Sequence, residues 1–260
     1  MGDRIPVSSN LIGGQKMEKS MKPILFNTEM VRAILVGRKT VTRRVVKGAK
    51  PDWVLDHIGD HEAMTKVRAD GEEYPVDVPG LWATFDQDGL PEYPMVKAPC
   101  QPGDILWVRE TWYYESHMED MTDGEPDLPS GGYSHRYIYK ADSPDYPVNV
   151  GVGAHGWRPS IHMPREAARL FLMVTGVRVE RLQDITPNDC VLEGVEREAL
   201  ATVGGEFARG IFNDVWDSTI KPENLPCYGW EANPWVWVIE FERVSCAENY
   251  GGGKNERTEI

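Results

Sequence analysis

No run in this sequence reaches the roughly 18 consecutive apolar residues that a membrane span requires, and the first twenty residues hold no apolar signal core. A membrane role is therefore not expected. Positive charge is in short supply: 28 Lys and Arg against 41 Asp and Glu leave a formal net charge of -13. That balance repels a phosphate backbone at long range and argues against any salt-driven grip on long duplex DNA. Cys100, Cys190, Cys227 and Cys246 are widely spaced and form no CxxC pair. Without a secretory leader the thiols are expected to be reduced and the location cytoplasmic. A glycine-rich phosphate loop and a GxSxG elbow are both missing, which removes the common NTPase and α/β-hydrolase readings. His57 and His61 stand four apart like a metal pair, yet Gly59 interrupts them and no third ligand is evident. Neither a metal nor a cofactor is expected.

What remains is an ordinary globular composition, 41% hydrophobic and 27% charged, in a chain long enough to bury a sizeable core. Nine Trp and ten Tyr supply large amphipathic rings for that core or for stacking on a ligand. Residues 1–20 and 247–260 are polar, glycine-containing and aperiodic, and are expected to be flexible tails flanking a single domain over 21–246. Two stretches, near 48–100 and 113–150, break into Pro-, Asp- and Gly-rich pieces and read as insertions, the second carrying an acidic, solvent-exposed loop at 119–127.

Asn27 is placed to cap a helix in which Met30, Val31, Ile34 and Leu35 recur at helical spacing, and Gly37 ends it. An extended, Thr-rich basic segment follows from Arg38 to Val46. Pro102-Gly103-Asp104 turns into a strand over 105–112, and 133–140 reads as another. The strongest alternation lies at 169–182, where Val177 and Val179 are interleaved with Arg178 and Glu180. Thr186 and Pro187 then open a short helix through Leu192 that Gly194 closes. A helix over 205–216 and a strand over 233–243 complete the pattern. Non-consecutive strands with short helices between them predict an α+β fold in which a small sheet closes into a β-barrel and removes its own edges.

Gly37-Arg38-Lys39-Thr40-Val41-Thr42-Arg43-Arg44 packs four cations and two hydroxyls into eight positions at a helix-to-strand corner. Such a segment is either a solvated charged strand or a binding strand. A lysine beside other cations, or partly desolvated, gives up its proton more readily and can act as a base or activate a hydroxyl. Glu193 ends the short capped helix, where a carboxylate is ordinarily a plain surface group. The cluster Trp157-Arg158-Pro159-Ser160-Ile161-His162-Met163-Pro164-Arg165 can hold a phosphate and stack a base, or staple a loop.

Taken in order, the 37–44 corner, Pro102-Gly103-Asp104, Leu106-Trp107-Val108-Arg109-Glu110-Thr111-Trp112, Trp157 to Pro164, Val177 to Ile185 and Asn233-Pro234-Trp235-Val236-Trp237-Val238 resemble the ASCH domains. These are relatives of the PUA RNA-binding barrels, and the likeness is to the larger members found in phages and prophages. It covers about 22–244 and implies a PUA-like barrel with short flanking helices. For small bacterial members it implies an amidohydrolase that removes the acetyl group from N4-acetylcytidine with a Lys, a Thr and a Glu. Carried over, Thr42 is the nucleophile, Lys39 its activator and Glu193 the proton carrier, while Arg44 contacts the base or its phosphate.

Two other readings stay open. A non-catalytic RNA reader would hold a phosphate with Arg38, Arg43, Arg44 and Arg158 while Trp107 or Trp157 stacks a base. Alternatively, a phage accessory protein would bind a host or virion protein through the inserted loops.

Overall fold

A computed structural model describes residues 20–61, 64–67, 73–76, 80–86, 94–118, 133–146, 156–197 and 204–245. The predicted tails, Ser20 apart, and the acidic loop at 119–127 lie outside them. In chain order the elements are β1 (Met21–Leu25), α1 (Thr28–Leu35), β2 (Val41–Val45), β3 (Val54–His61), β4 (Met64–Val67), β5 (Glu73–Val76), β6 (Gly80–Asp86) and β7 (Met95–Lys97). There follow β8 (Ile105–Arg109), β9 (Trp112–Met118), β10 (Tyr133–Tyr139), β11 (Phe171–Arg181), α2 (Pro187–Leu192), α3 (Gly205–Thr219), α4 (Leu225–Tyr228) and β12 (Trp235–Val244). The fold is β-rich α+β. Its largest sheet has five strands in the order β1-β8-β11-β12-β2, with β1 and β2 at the ends of that order. Among the described residues no helix is long and apolar enough to cross a membrane.

The chain divides into two compact units. Among the described residues the first holds 20–22, 37–106 and 172–243; the second holds 23–36, 107–171 and 244–245. In the first unit β2 pairs antiparallel with β12, Arg44 opposite Trp237, Arg43 opposite Val238 and Thr42 opposite Ile239. Side chains alternate across a strand and directly opposed residues share a face. Val41, Arg43 and Val45 therefore lie on one face with Val236, Val238 and Glu240, while Thr42 and Arg44 lie on the other with Ile239 and Trp237. The valine face packs on the helices: Val41, Val236 and Val238 join Leu182, Ile185, Cys190, Ala208, Phe212 and Trp216 in one buried cluster. Each large apolar side chain buried there contributes roughly 1.5–3 kcal/mol. α2 begins as its sequence predicts, with Thr186 and Asp189 forming a reciprocal capping box and Pro187 in the first turn.

Within the predicted insertion only Gly80–Phe85 reads as a strand, yet β3 and β7 flank β6 in a three-stranded sheet. Asp56, His57, Gly59 and Asp60 dilute the apolar pattern of β3. Its strand geometry comes from antiparallel pairing with β6, whose Leu81, Ala83 and Phe85 are buried.

In the second unit Asn27 Oδ1 accepts the Met30 N–H at 2.8 Å and caps α1. The strand expected over 105–112 is divided: β8 ends at Arg109 and β9 starts at Trp112. Between them Glu110 is buried and accepts two hydrogen bonds from Arg169, at 2.9 and 3.0 Å. Arg169 also pairs with Asp142 and lies 4.0 Å over the Tyr139 ring.

Candidate functional site

The glycine that ends α1 sets the site's geometry. Gly37 has φ +74, a left-handed conformation that costs glycine little, and the chain reverses there into the basic segment. Residues 38–40 are then pinned between two elements of the first unit. Thr40 N–H donates to Leu192 O at 2.9 Å, and Phe241 N–H donates to Thr40 O at 2.9 Å. Lys39 is thereby delivered to the C-terminal end of α2.

There its ammonium donates to Val41 O at 2.8 Å, to Glu193 O at 2.7 Å and to Glu193 Oε2 at 2.6 Å. The Lys39 side chain is 0% exposed and that of Glu193 5%. Burial pulls the Lys39 pKa below its ordinary value; Glu193 opposes that shift, and the Arg44 and Arg43 charges add to it. Lys39 and Glu193, 154 residues apart and expected from sequence to meet, are thus in direct contact.

Thr42 is buried. Strand alternation puts it on the opposite face of β2 from Arg43. Arg44, on the Thr42 face, is half-buried, and that burial lowers its pKa while Glu193 opposes the change. Arg38 pairs loosely with the exposed Glu196 at 3.7 Å.

Arg43, expected to face a ligand phosphate, is instead enclosed by carboxylates. One terminal nitrogen donates to Glu193 Oε1 at 3.2 Å, and the other donates to Glu180 Oε2 at 3.2 Å and lies 3.7 Å from Asp189 Oδ2. Its side chain is 0% exposed. A phosphate brought here would meet three anions, so the physical reading of Arg43 as an anion contact does not hold. The pairing continues outward: Glu180 accepts from Arg178 at 2.6 Å, and Arg178 also pairs with Glu240.

Glu180 and Asp189 are the site residues that sequence reasoning missed. A signal was present, because Arg43 sits between Val41 and Val45 at period two and so belongs to the core face, where a guanidinium must find carboxylates. Which carboxylates could not be read across the 137 residues to Glu180.

Trp107, Trp157 and Arg158 belong to the second unit. There Arg109 lies 5.5 Å from the Trp107 ring centroid and Arg158 lies 5.1 Å from that of Trp112. Arg158 also exchanges backbone hydrogen bonds with Trp112, at 2.7 and 3.2 Å, which ties the start of the Trp157–Arg165 cluster to β9. His57 is described, and no group of three or more His, Cys, Asp or Glu able to hold a metal occurs among the described residues.

Comparison of the chain with family models, with curated proteins and with solved structures gave no match.

Proposed function

We propose that this protein is an amidohydrolase that removes an acyl group from a modified pyrimidine nucleoside such as N4-acetylcytidine, with Lys39, Thr42 and Glu193 as catalytic residues. One observation carries the reading: the water-excluded Lys39–Glu193 pair at 2.6 Å, at the corner where the ASCH resemblance puts its lysine and glutamate. A plain structural ion pair does not need full burial, which costs several kcal/mol per ion before the attraction is counted. Burial lowers the Lys39 pKa and so raises the neutral fraction able to take a proton.

In the proposed reaction neutral Lys39 Nζ takes the Thr42 hydroxyl proton as Oγ1 bonds to the acyl carbon. The proton passes across the short Lys39–Glu193 contact and reaches the exocyclic nitrogen as the C–N bond breaks, so the amine leaves neutral. Water then attacks the acyl-Thr42 ester, giving its proton to Lys39, and the carboxylic acid departs as Thr42 recovers its own. The sum is amide plus water to acid plus amine.

The finer architecture, a PUA-like barrel, is part of the same proposal; the β1-β8-β11-β12-β2 sheet supplies strands that such a barrel would use. So is a cytoplasmic setting, with a nucleoside or RNA ligand, no membrane and no long duplex DNA. Incubating the purified protein with N4-acetylcytidine tests the reading. Cytidine release that Thr42→Ala abolishes is expected. No release, or turnover unchanged in Thr42→Ala, overturns it.

A non-catalytic RNA reader is favoured by an arginine–indole pair of the second unit, where the half-buried Trp107 ring lies beside Arg109. It requires saturable, salt-sensitive binding of structured RNA that Trp107→Ala weakens.

A further inference from the structure

From the ion network around Glu193 we infer that Arg43 is the positioning residue of the site. It fixes the carboxylate on the Lys39 ammonium and is itself held in place by Glu180 and Asp189. This rests on the amidohydrolase reading above.

The first ground is division of labour on one carboxylate. Glu193 Oε2 takes Lys39 at 2.6 Å and Oε1 takes Arg43 at 3.2 Å, so both oxygens are committed and rotation of the group breaks one bond or the other. A proton carrier that must receive from one atom and deliver to another works only if its approach is fixed to within about 0.5 Å. A planar guanidinium held by further carboxylates supplies that rigidity better than a flexible ammonium could.

The second ground is that the arrangement is a poor stability device. Well-packed apolar side chains of similar volume serve a buried position as well as an ion network, or better. This network is also incomplete, for Arg43 Nε is buried with no hydrogen-bond partner among the described residues. An unbonded buried N–H costs about 1–3 kcal/mol. Retaining an arginine here on a strand otherwise facing valines is therefore explained by what its terminal nitrogens hold.

The third ground is grading. Exposure rises outward along the chain of pairs, from Lys39 and Arg43 at 0% through Glu180 at 19% and Arg178 at 28% to Glu240 at 46%. The outer carboxylates lie where water can solvate them, and they offset the Arg43 charge without competing for Lys39.

Arg43→Gln, Arg43→Lys and Glu180→Gln in the full chain test this, with kcat and KM for N4-acetylcytidine measured from neutral to alkaline pH and the melting temperature recorded. The groups facing Lys39 are the Glu193 side chain and carbonyl from the end of α2, the Val41 carbonyl, and the Arg43 and Arg44 charges of β2. Removing the Arg43 charge takes away one cause of the lowered lysine pKa. Arg43→Gln is expected to cut kcat about 10- to 100-fold with KM little changed, and to move the ascending limb of the kcat profile to higher pH. Arg43→Lys should restore part of kcat, and Glu180→Gln should lower kcat by less while moving the ascending limb to lower pH, because the Arg43 charge that Glu180 offset then weighs more on Lys39. Wild-type turnover with kcat and pH profile intact in a folded Arg43→Gln overturns the inference and leaves the hydrolase reading standing. Wild-type protein that releases no cytidine overturns the hydrolase reading itself, and the positioning role with it. If Arg43→Gln does not fold, Glu180→Gln decides: an unmoved pH profile overturns the inference.

Discussion

Replacing Glu193 by glutamine keeps the shape of the side chain and removes one acceptor and one charge. Its two oxygens now serve Lys39 and Arg43. An amide has a single acceptor oxygen, so its NH2 must face an N–H of one cation or the other. Removing one partner from a buried pair costs about 3–5 kcal/mol. Lys39 has an escape that bounds this figure, because it can enter the folded state neutral. Deprotonating a lysine from its ordinary 10.5 at pH 7 costs about 5 kcal/mol, at roughly 1.4 kcal/mol per pH unit. The loss at pH 7 is thus expected at about 3–5 kcal/mol, or roughly 6–20 °C in melting temperature for a chain of this size. Its pH dependence is the sharper signature. Without the carboxylate the Lys39 pKa falls further below its unfolded value, so between the two values the unfolded state binds more protons and stability rises with pH. The gap between Glu193→Gln and wild type should therefore narrow on going from pH 7 to pH 9. Urea unfolding of both proteins at the two pH values measures it. A loss below about 1 kcal/mol at pH 7, or a gap that does not narrow, would mean that the pair is solvated and refute the argument from burial.

Further outcomes follow from the geometry within each unit. Lys39→Met combined with Glu193→Leu should cost less than the sum of the two single variants, since an apolar pair can replace a buried ion pair and Arg43 retains Glu180 and Asp189, while the Val41 and Glu193 carbonyls still lose their donor; urea unfolding of the double variant beside the single ones checks this. In the second unit Glu110→Ala should cost about 2–3 kcal/mol by leaving the Arg169 fork without its bidentate partner. Burial raises the Glu110 pKa above 4.5, so native protein holds that proton more tightly, and Glu110's contribution declines as pH rises through the window just above 4.5; Glu110→Gln should flatten the stability profile there. Two glycine substitutions should have opposite signs in thermal melts: Gly229→Ala brings a Cβ to 2.8 Å from Leu225 O and should destabilise by about 1–3 kcal/mol, while Gly210→Ala, on an open helical position, should stabilise by about 0.5–1 kcal/mol.

Local chemistry was legible wherever a few adjacent residues decide the outcome. Asn27 capping α1 and Thr186 capping α2 follow from side chains reaching a backbone group within three residues, and Gly37 at positive φ and Pro187 in the first turn follow from their own backbone preferences. The strands at 171–181 and 235–244 were readable because β-branched and aromatic residues alternate or run through them. β3 was not, because His57, Gly59 and Asp60 are tolerated only through pairing with β6, a partner more than twenty residues away. The division of 105–112 had a similar cause. A buried Glu110 interrupts the strand, and its partner Arg169 lies 59 residues on. At the site, the meeting of Lys39 with Glu193 was expected from the resemblance, whereas the fate of Arg43 was not. Four cations in eight residues look alike in sequence, and only the identity of the opposing face separates a guanidinium among carboxylates from one that turns toward Thr42.

That separation bears on how chemistry and folding can be divided at this corner. The backbone bonds that hold the basic segment, Thr40 to Leu192, Phe241 to Thr40, and Lys39 Nζ to the Val41 and Glu193 carbonyls, do not involve the Glu193 carboxylate. A substitution at the Glu193 side chain therefore changes the charge seen by Lys39 while leaving the fastening of Lys39 to α2 intact. The converse does not hold. Shortening Lys39 removes a donor to two backbone carbonyls along with the cation, so the end of α2 is left with a carbonyl to be satisfied by other means. Substitution of Lys39 mixes loss of structure with loss of chemistry, and the carboxylate is the member of the pair through which the two can be told apart.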